Sequence, residues 1–352
     1  MSSDEGPRRI MRPLSILRKS FADLSRQRRR WQDGIARNLR ISSRMLDSLH
    51  PDLPPEVLAP KPTSLVETTD FGSNPGWLKM LHYAPESLKP GAPLVVVLHG
   101  CQQDATLYDQ CSGWSRLARD HGFAVLYAEQ QGGNNPNLCF NWFRPSNITR
   151  DRGEVMSIRQ MISRLEQDLA IDPARIFITG LSAGGAMTAS MLSAYPELFQ
   201  AAGIIAGLAH GAARDAHRAF YAMEHAPERT AREWGDLVRE AAPAPVRYPR
   251  ISIWQGLADR TVHPSNADAL VAQWLDVHGL TDTKPRETRI ESHRRLAYPG
   301  HDGRIAVELI LLADFDHGVP LKPTRGGEKT GPFMLDAGIS STRRLAREWG
   351  VI

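Results

Sequence analysis

The sequence predicts an α/β fold in which a mostly parallel central sheet is covered by helices on both faces. Two observations carry this prediction. Beyond about residue 75, short apolar runs alternate with longer segments of helical periodicity, which is the order of strand–helix–strand units. Runs such as PLVVVLHG (93–100) and FAVLYAEQ (123–130) are apolar without alternation, as expected for strands that are buried on both faces of a sheet.

The elements of this domain follow one another along residues 65–352. We expect strands at 77–85, 93–100, 123–130, 176–180, 201–208, 251–256 and 305–312. We expect helices at 105–121, 154–170, 184–194 and 264–278. The helix at 154–170 is the clearest of these, because Val155, Ile158, Ile162 and Leu165 recur at helical spacing and form one apolar stripe.

Residues 1–64 form a separate, basic N-terminal extension. Residues 10–49 are predicted to be helical, and HPDLPPEVLAPKPT (50–63) carries five prolines typical of an extended linker. The first 50 residues hold 12 Arg/Lys and 5 Asp/Glu, a balance of +7, whereas the remainder holds 31 and 34. This extension is either a solvated helical arm that packs on the domain or a second subunit, or a segment that associates weakly with an anionic surface. We expect no nucleic-acid partner.

Composition limits the class of protein further. Hydrophobic residues make up 41% of the chain and no apolar run reaches about 18 residues, so we expect a globular core and no membrane span. The N-terminus lacks the apolar stretch of a secretory signal peptide, which predicts a cytoplasmic location. The three cysteines, Cys101, Cys111 and Cys139, allow at most one internal disulfide and show no CxxC spacing. We therefore expect no metal and no cofactor.

The stretch RIFITGLSAGGAM (175–187) contains the strongest functional signal. Gly180-Leu181-Ser182-Ala183-Gly184 fits the G-x-S-x-G pattern between a predicted strand and a predicted helix, which is the context of a nucleophile elbow. A turn this tight brings together the residues two before and two after the serine, and only glycine fits at both positions. Ser182 is therefore predicted to be a nucleophile.

A serine needs a base, and the base needs a carboxylate that orients it. On a parallel sheet the two partners should follow late strands, acid first and histidine second. Asp259 follows the strand at 251–256, whereas Asp268 lies inside the next helix. His317 follows the last long strand, whereas His301 and His263 precede that strand. We therefore predict Asp259 as the acid and His317 as the base.

An oxyanion formed at the serine needs two backbone donors. One should be the N–H of Ala183, directly after the nucleophile. The other should come from the loop after the first long buried strand, LHGCQQD (98–104), where the N–H of Cys101 is the candidate. Whether Cys101 pairs with Cys139 is left open by the sequence, because such a pair requires an oxidising compartment.

The aromatic loop NNPNLCFNWFRP (134–145) is the third candidate part of a site. It would be either an apolar wall for an ester substrate or a loop anchored to the core by its aromatic side chains. Asn141 and Trp142 of this loop, together with Leu181 beside the serine, are predicted to contact substrate.

Taken together, VVVLHGCQQD, CFNWF, RIFITGLSAGGAM, WQGLADRTVHP and DFDHGVP resemble the polyhydroxybutyrate (PHB) depolymerase family of esterases, within the α/β-hydrolases. The resemblance runs from about residue 75 to the C-terminus. It implies an α/β-hydrolase fold and hydrolysis of a carboxylic ester, such as a short-chain hydroxyalkanoate polyester or oligomer, by Ser182, Asp259 and His317. It also implies that Cys101 marks the oxyanion loop.

Three alternatives to this function are kept. A feruloyl or acetylxylan-type esterase would use the same triad on a different ester. A protein of another class, either a non-catalytic α/β-hydrolase-like binding protein or a granule-associated protein, would need no working triad. The resembled family also includes many secreted enzymes, which makes an extracellular location the alternative to a cytoplasmic one.

Overall fold

A computed structural model describes residues 64–242, 247–325 and 327–352. The predicted helical extension at 10–49 and the proline-rich linker at 50–63 lie outside the described residues. Within the described ranges, no helix combines the length and the apolar character that crossing a membrane requires.

A ten-stranded sheet forms the centre of the fold, and six neighbouring strands at its middle are parallel. The strand order is β1-β2-β4-β3-β5-β6-β7-β10-β9-β8, with two antiparallel strands at each edge of the parallel block. The ten strands are β1 Val66–Thr68, β2 Lys79–Tyr83, β3 Leu94–Leu98, β4 Ala124–Glu129, β5 Ile176–Leu181, β6 Ala201–Ile205, β7 Arg250–Gly256, β8 Arg286–Ile290, β9 His293–Pro299 and β10 Ile305–Leu312. A second, two-stranded parallel sheet joins β11 Val319–Leu321 to β12 Met334–Asp336.

Helices cover both faces of the central sheet. They are α1 Ala105–Ser112, α2 Trp114–His121, α3 Pro145–Ile148, α4 Gly153–Asp168, α5 Ala183–Ala194, α6 Ala216–Glu224, α7 Ala231–Ala241, α8 Ser265–Val277 and α9 Ser341–Glu348. The buried residues of α1, α2 and α9 belong to one hydrophobic core, and those of α3 to α8 belong to the other. The predicted class, a mostly parallel sheet between two helical layers, is confirmed.

Strand β3 shows why the apolar runs of the sequence become central strands. Leu94, Val96 and Leu98 face one hydrophobic core, whereas Val95 and Val97 face the other. All five side chains are fully buried. Because successive strand residues point to opposite faces, a strand between two helical layers needs apolar residues without alternation.

The carboxyl ends of the parallel strands lie along one edge of the sheet. Leu98 at the end of β3 pairs with Gly180 of β5, and Gly256 at the end of β7 pairs with Leu312 of β10. The segments that follow these strands therefore meet at the same edge, which is where ligands bind in open α/β sheets.

The sequence-based expectation did not include β1, β11, β12, α3, α6, α7 and α9. Two further features also differ from it. The helix expected at 105–121 is two helices, because Gly113 adopts a left-handed conformation with φ of 75° and ends α1. The hairpin of β8 and β9 was not anticipated, since the β8 residues Arg286–Ile290 are mostly exposed and polar and give no apolar run.

Candidate active site

Ser182 occupies a strained turn between β5 and α5. Its backbone has φ of 57° and ψ of −118°, a region in which side-chain-bearing residues are rare. A Cβ at Gly180 would collide with the carbonyl of Gly184, and a Cβ at Gly184 would collide with the carbonyls of Leu98 and His99. The two glycines are therefore required by the close approach of backbone to backbone, and they hold the serine at the carboxyl edge of the sheet.

Asp259 and His317 meet at this same edge. The Nδ1–H of His317 donates to Oδ2 of Asp259 at 2.7 Å, and both side chains are buried. Oδ1 of Asp259 accepts from the backbone N–H groups of Thr261 and Val262 at 2.8 and 2.9 Å. The carboxylate is thereby fixed in place, and because it bonds Nδ1 of the imidazole, Nε2 is the nitrogen left for another partner.

A narrow crevice joins Ser182 to His317. Its lining residues come from the oxyanion loop, the elbow, the Asp259 loop, the His317 loop and the segment before β12, namely Gly100, Cys101, Leu181, Ser182, Thr261, His317 and Phe333. The sequence analysis missed Thr261 and Phe333. No pattern in the sequence marks Phe333, because it belongs to a short segment far from the motifs.

The two predicted oxyanion donors lie beside the serine. Cys101 lines the crevice, and Ala183 is the first residue of α5. Among the described residues, neither backbone N–H has a hydrogen-bond partner. Unpaired N–H groups at a helix start and in an adjacent loop can stabilise negative charge that develops between them.

Cys101 forms a disulfide with Cys139, which answers the question that the sequence left open. The bond joins the oxyanion loop to the aromatic loop at 134–145 across 38 residues of sequence. The backbone N–H of Gln102 also donates to the carbonyl of Asn137 at 3.0 Å. Two links therefore fix the position of Cys101 relative to the aromatic loop.

Glu154 accepts hydrogen bonds from the aromatic loop and from the segment just before it. It lies in the first turn of α4, is completely buried, and accepts hydrogen bonds from the side chains of Gln130, Asn134 and Asn141 and from the backbone N–H of Asn141. Burial raises the pKa of Glu154 to about 7, although these hydrogen bonds lower it. The sequence analysis missed this residue.

The predicted substrate contacts occupy different environments. Leu181 lines the crevice. Asn141 is fully buried, with its amide nitrogen donating to Glu154 and its oxygen accepting from Asn135 at 3.1 Å. Trp142 is also buried and packs edge-on against Phe143 at 5.6 Å between ring centroids. Neither Asn141 nor Trp142 is among the residues that line the crevice.

The competing histidines and acid of the sequence analysis lie elsewhere. His301 is exposed in the turn between β9 and β10, at the opposite edge of the sheet. His263 is exposed and stacks on His225 with 4.4 Å between ring centroids. Asp268 is exposed on α8. The structure brings none of them into the crevice.

His99 is a buried histidine beside the site. Its Nδ1–H donates to the carbonyl of Gly100 at 2.7 Å, and its Nε2 accepts from the backbone N–H of Gln130 at 3.0 Å. Burial lowers the pKa of His99. The ring is therefore neutral. Its Nδ1 bonds within the oxyanion loop, and its Nε2 connects that loop to the segment after β4.

In the part of the chain that the structure describes, no three His, Cys, Asp or Glu side chains converge as metal ligands.

Comparison with known proteins gives one family and several relatives. The sequence model of the family described as "Esterase PHB depolymerase" matches residues 79–295. The chain is 38% identical over 308 residues to poly(3-hydroxyalkanoate) depolymerase C of Paucimonas lemoignei, covering 85% of this chain and 73% of the relative. It is 32% identical over 228 residues to feruloyl esterase B of Thermothelomyces thermophilus, covering 63% of this chain and 77% of the relative.

Among solved structures, the acetyl xylan esterase from Aspergillus awamori superposes with a TM-score of 0.70 at 22% identity. The match covers 82% of this chain and 100% of that chain. At this level of identity the likeness shows the shared fold.

Proposed function

The chain belongs to the esterase PHB depolymerase family and is a carboxylic ester hydrolase. We propose that it cleaves its ester through an acyl-enzyme on Ser182. His317 takes the hydroxyl proton of Ser182 through Nε2 while Oγ attacks the ester carbonyl. The N–H groups of Ala183 and Cys101 bind the resulting oxyanion. His317 then gives the proton to the departing alcohol, and the bond between the carbonyl carbon and the alcohol oxygen breaks.

Hydrolysis of the acyl-enzyme repeats these steps with water. His317 accepts a proton from water, the hydroxide adds to the acyl carbon, and the bond to Ser182 Oγ breaks as His317 returns the proton to the serine. Asp259 stays ionised throughout and stabilises the imidazolium that forms twice per cycle.

The observation that carries this mechanism is the 2.7 Å hydrogen bond between His317 Nδ1 and Asp259 Oδ2, with His317 and Ser182 lining one crevice. A carboxylate at Nδ1 selects the tautomer in which Nε2 is unprotonated and can act as a base. The strained backbone of Ser182 supports the same assignment, because strain of this kind persists where the surrounding structure holds a reactive group in place.

For the substrate, we propose a short-chain hydroxyalkanoate polyester or its oligomers. The support is the relative named poly(3-hydroxyalkanoate) depolymerase C, which matches over 85% of this chain. A feruloyl or acetylxylan ester is the second candidate, supported by the match to feruloyl esterase B over 63% of the chain and by 31% identity to an acetylxylan esterase of Coprinopsis cinerea over 76% of the chain. The depolymerase match is longer and has the higher identity.

For the location, we propose an oxidising compartment, which favours the extracellular alternative over the cytoplasmic one. The support is the Cys101–Cys139 disulfide, because thiols in the cytosol are kept reduced. Thiol titration of the denatured, unreduced protein tests this proposal. One free thiol, from Cys111, supports it, and three free thiols in protein taken directly from its native compartment contradict it.

The test of the proposed function is ester hydrolysis by the wild type beside Ser182→Ala. The panel contains p-nitrophenyl esters from acetate to octanoate, hydroxybutyrate oligomers, methyl ferulate and acetylated xylan. We expect Ser182→Ala to lower turnover by at least about 10³-fold, because the members of a triad act as a unit. Serine-dependent cleavage of the oligomers supports the depolymerase-like substrate, and serine-dependent cleavage of the ferulate or xylan alone moves the substrate to the second candidate. Absence of serine-dependent turnover leaves the binding-protein alternative.

A further inference from the structure

The crevice has two chemically different sides, and His317 defines one of them. In the proposed mechanism His317 protonates the oxygen of the departing alcohol, so the alcohol part of the ester must lie on the His317 side. The acyl carbonyl lies between Cys101 and Ala183, on the other side. We propose that Phe333 is the wall against which the alcohol part lies, and that its ring determines which alcohols the enzyme releases. This inference rests on the proposed function.

Phe333 is in direct contact with the base. Its ring packs edge-on against the imidazole of His317, with 6.1 Å between ring centroids and an interplanar angle of 79°. The side chain is only 4% exposed, yet it lines the crevice together with Ser182. A ring that covers the histidine on the crevice side occupies space that a bulky alcohol would need.

The position of Phe333 is fixed by hydrogen bonds on both sides of it. Its own carbonyl accepts from the backbone N–H of Val319, two residues after His317, at 2.7 Å. The carbonyl of Pro332 accepts from Nε2 of Gln103 at 2.9 Å, and Oε1 of Gln103 accepts from the backbone N–H of Gly100 at 2.9 Å. Phe333 is therefore held relative to both the base and the oxyanion loop, as a specificity wall requires.

Leu181 forms a second wall of the crevice. It precedes the nucleophile, and a Cβ at Gly100 would lie 3.2 Å from Leu181 Cδ2. Leu181 thus packs against the oxyanion loop, on the acyl side of the crevice. Because Leu181 packs on the oxyanion loop whereas the Phe333 ring contacts the base, shortening each of them should change selectivity for a different half of the ester.

Thr261 adds a polar group to the alcohol side. Its backbone N–H donates to Asp259, which places the residue beside the acid and base, and Thr261 is among the residues that line the crevice. Apart from Ser182 and His317, the other described side chains at the crevice are apolar or small. The alcohol side therefore combines one aromatic wall with one hydroxyl, and fits a slim alcohol that carries a polar group.

The test uses two ester series and the variants Phe333→Ala, Phe333→Leu and Leu181→Ala. The first series is methyl, butyl and benzyl acetate, in which the acyl group and hence the deacylation step are constant. The second is p-nitrophenyl acetate, butyrate and octanoate, in which the alcohol is constant. We expect Phe333→Ala to raise the kcat/KM ratio of benzyl to methyl acetate by about tenfold, the usual size of a pocket-volume effect. We expect the ratios within the acyl series to stay within about twofold of wild type.

Phe333→Leu keeps more of the packing and should shift the alcohol ratio in the same direction by a smaller factor. Leu181→Ala should do the reverse, changing the acyl ratios and leaving the alcohol ratios. Leu335→Ala is the matched control, because Leu335 lies on the same segment, packs near Gly318 and is absent from the crevice lining. It should change neither ratio.

Any of three results would overturn the inference. Phe333→Ala could shift the acyl ratios, both Phe333 variants could leave the alcohol ratios unchanged, or Leu335→Ala could shift the alcohol ratios as much as Phe333→Ala does. Failure of the proposed function looks different, since Ser182→Ala would then hydrolyse acetate esters as fast as wild type. If Ser182→Ala is inactive but the Phe333 variants have the same kcat/KM ratios in the alcohol series as wild type, only the proposed role of Phe333 is rejected and the proposed mechanism stands.

Discussion

Two buried carboxylates near the crevice make a direct comparison possible. Asp259 is 4% exposed and accepts four hydrogen bonds, two from backbone N–H groups, one from Gln255 and one from His317. Glu154 is completely buried and also accepts four hydrogen bonds, all from amide groups. The two carboxyl groups therefore match in burial and in the number of hydrogen-bond donors around them. They differ because one donor to Asp259 is an imidazole, whereas every donor to Glu154 is an amide.

This difference indicates different roles for the carboxyl groups of Asp259 and Glu154. The carboxylate of Asp259 faces an imidazole, and in the proposed mechanism its charge orients and stabilises a group that changes protonation during the reaction. The carboxyl group of Glu154 faces side chains and backbone of the segment 130–141, so its hydrogen bonds hold a loop in one conformation. Through the Cys101–Cys139 disulfide, that loop is joined to Cys101, the proposed oxyanion donor. Burial and hydrogen bonding alone therefore do not identify a catalytic carboxylate, whereas the chemistry of its partner does.

The largest expected effect is the loss of activity on substitution of Asp259, which should distinguish it from Glu154. Asp259→Asn keeps the size of the side chain but presents an amide to His317 and favours the wrong tautomer. We expect kcat for p-nitrophenyl acetate to fall by about 10⁴-fold, with a thermal midpoint within a few degrees of wild type. Activity within tenfold of wild type would remove Asp259 from the triad.

Glu154→Ala should show the opposite profile. It leaves one N–H of Gln130 and both donors of Asn141 without an acceptor, whereas the Asn134 amide keeps the carbonyl of Gly76 and Oε1 of Gln130. The loss should lower the free energy of unfolding by about 2–4 kcal/mol. We expect kcat per folded active site, titrated with a fluorophosphonate, to stay within about tenfold of wild type. If this variant were as stable as wild type and as inactive as Asp259→Asn, the distinction between the two carboxylates would fail.

The pH dependence of stability sharpens the comparison. Burial raises the pKa of Glu154 to about 7, above its ordinary value of 4.5, so the folded state binds this proton more tightly than the unfolded state does. Protonated Glu154 therefore contributes up to about 3 kcal/mol to the free energy of unfolding. This contribution is fully present below pH 4.5 and is lost as the pH rises through about 7. Glu154→Gln cannot titrate, and its stability relative to wild type should therefore rise across this interval.

Urea unfolding of both proteins at pH 5, 6, 7 and 8 measures that difference. The matched control is Glu129→Gln, which changes a carboxylate that also lies at the carboxyl edge but pairs with Lys79. A stability difference between Glu154→Gln and wild type that is constant from pH 5 to 8 would mean that Glu154 titrates outside this range.

The smallest expected effect comes from the competing histidine. His301 is exposed at the opposite edge of the sheet, so His301→Ala should leave kcat within about twofold of wild type, whereas His317→Ala should lose activity as Ser182→Ala does. Initial rates on p-nitrophenyl acetate, normalised to folded protein, decide between the histidines. The reverse pattern would assign the base to His301.

The sequence was sufficient to predict that three candidate residues lie together at one edge of the sheet. Ser182, Asp259 and His317 each come directly after an apolar run, and a parallel sheet brings such positions to one edge regardless of their separation along the chain. The fold class was predictable for the same reason, because strands such as β3 are apolar on both faces.

Glu154 and Phe333 could not be found in this way. An acidic residue in the first turn of a helix is ordinary, and the only hint that Glu154 is buried is the run of amides in QQGGNNPNLCFN. Phe333 reaches the crevice because the short strand β12 pairs with β11 after His317, a long-range contact that no local pattern encodes. The broken helix at Gly113 was missed because a single glycine is also tolerated inside a helix.

The central claim is that Ser182 carries the acyl group, and covalent labelling tests it most directly. The measurement is peptide mass spectrometry after treatment with a fluorophosphonate, on wild type, Ser182→Ala and His317→Ala. The account predicts one phosphonyl adduct on the peptide that contains Ser182, its loss in Ser182→Ala, and much slower labelling in His317→Ala. Labelling of another residue at the same rate in wild type and Ser182→Ala would contradict it.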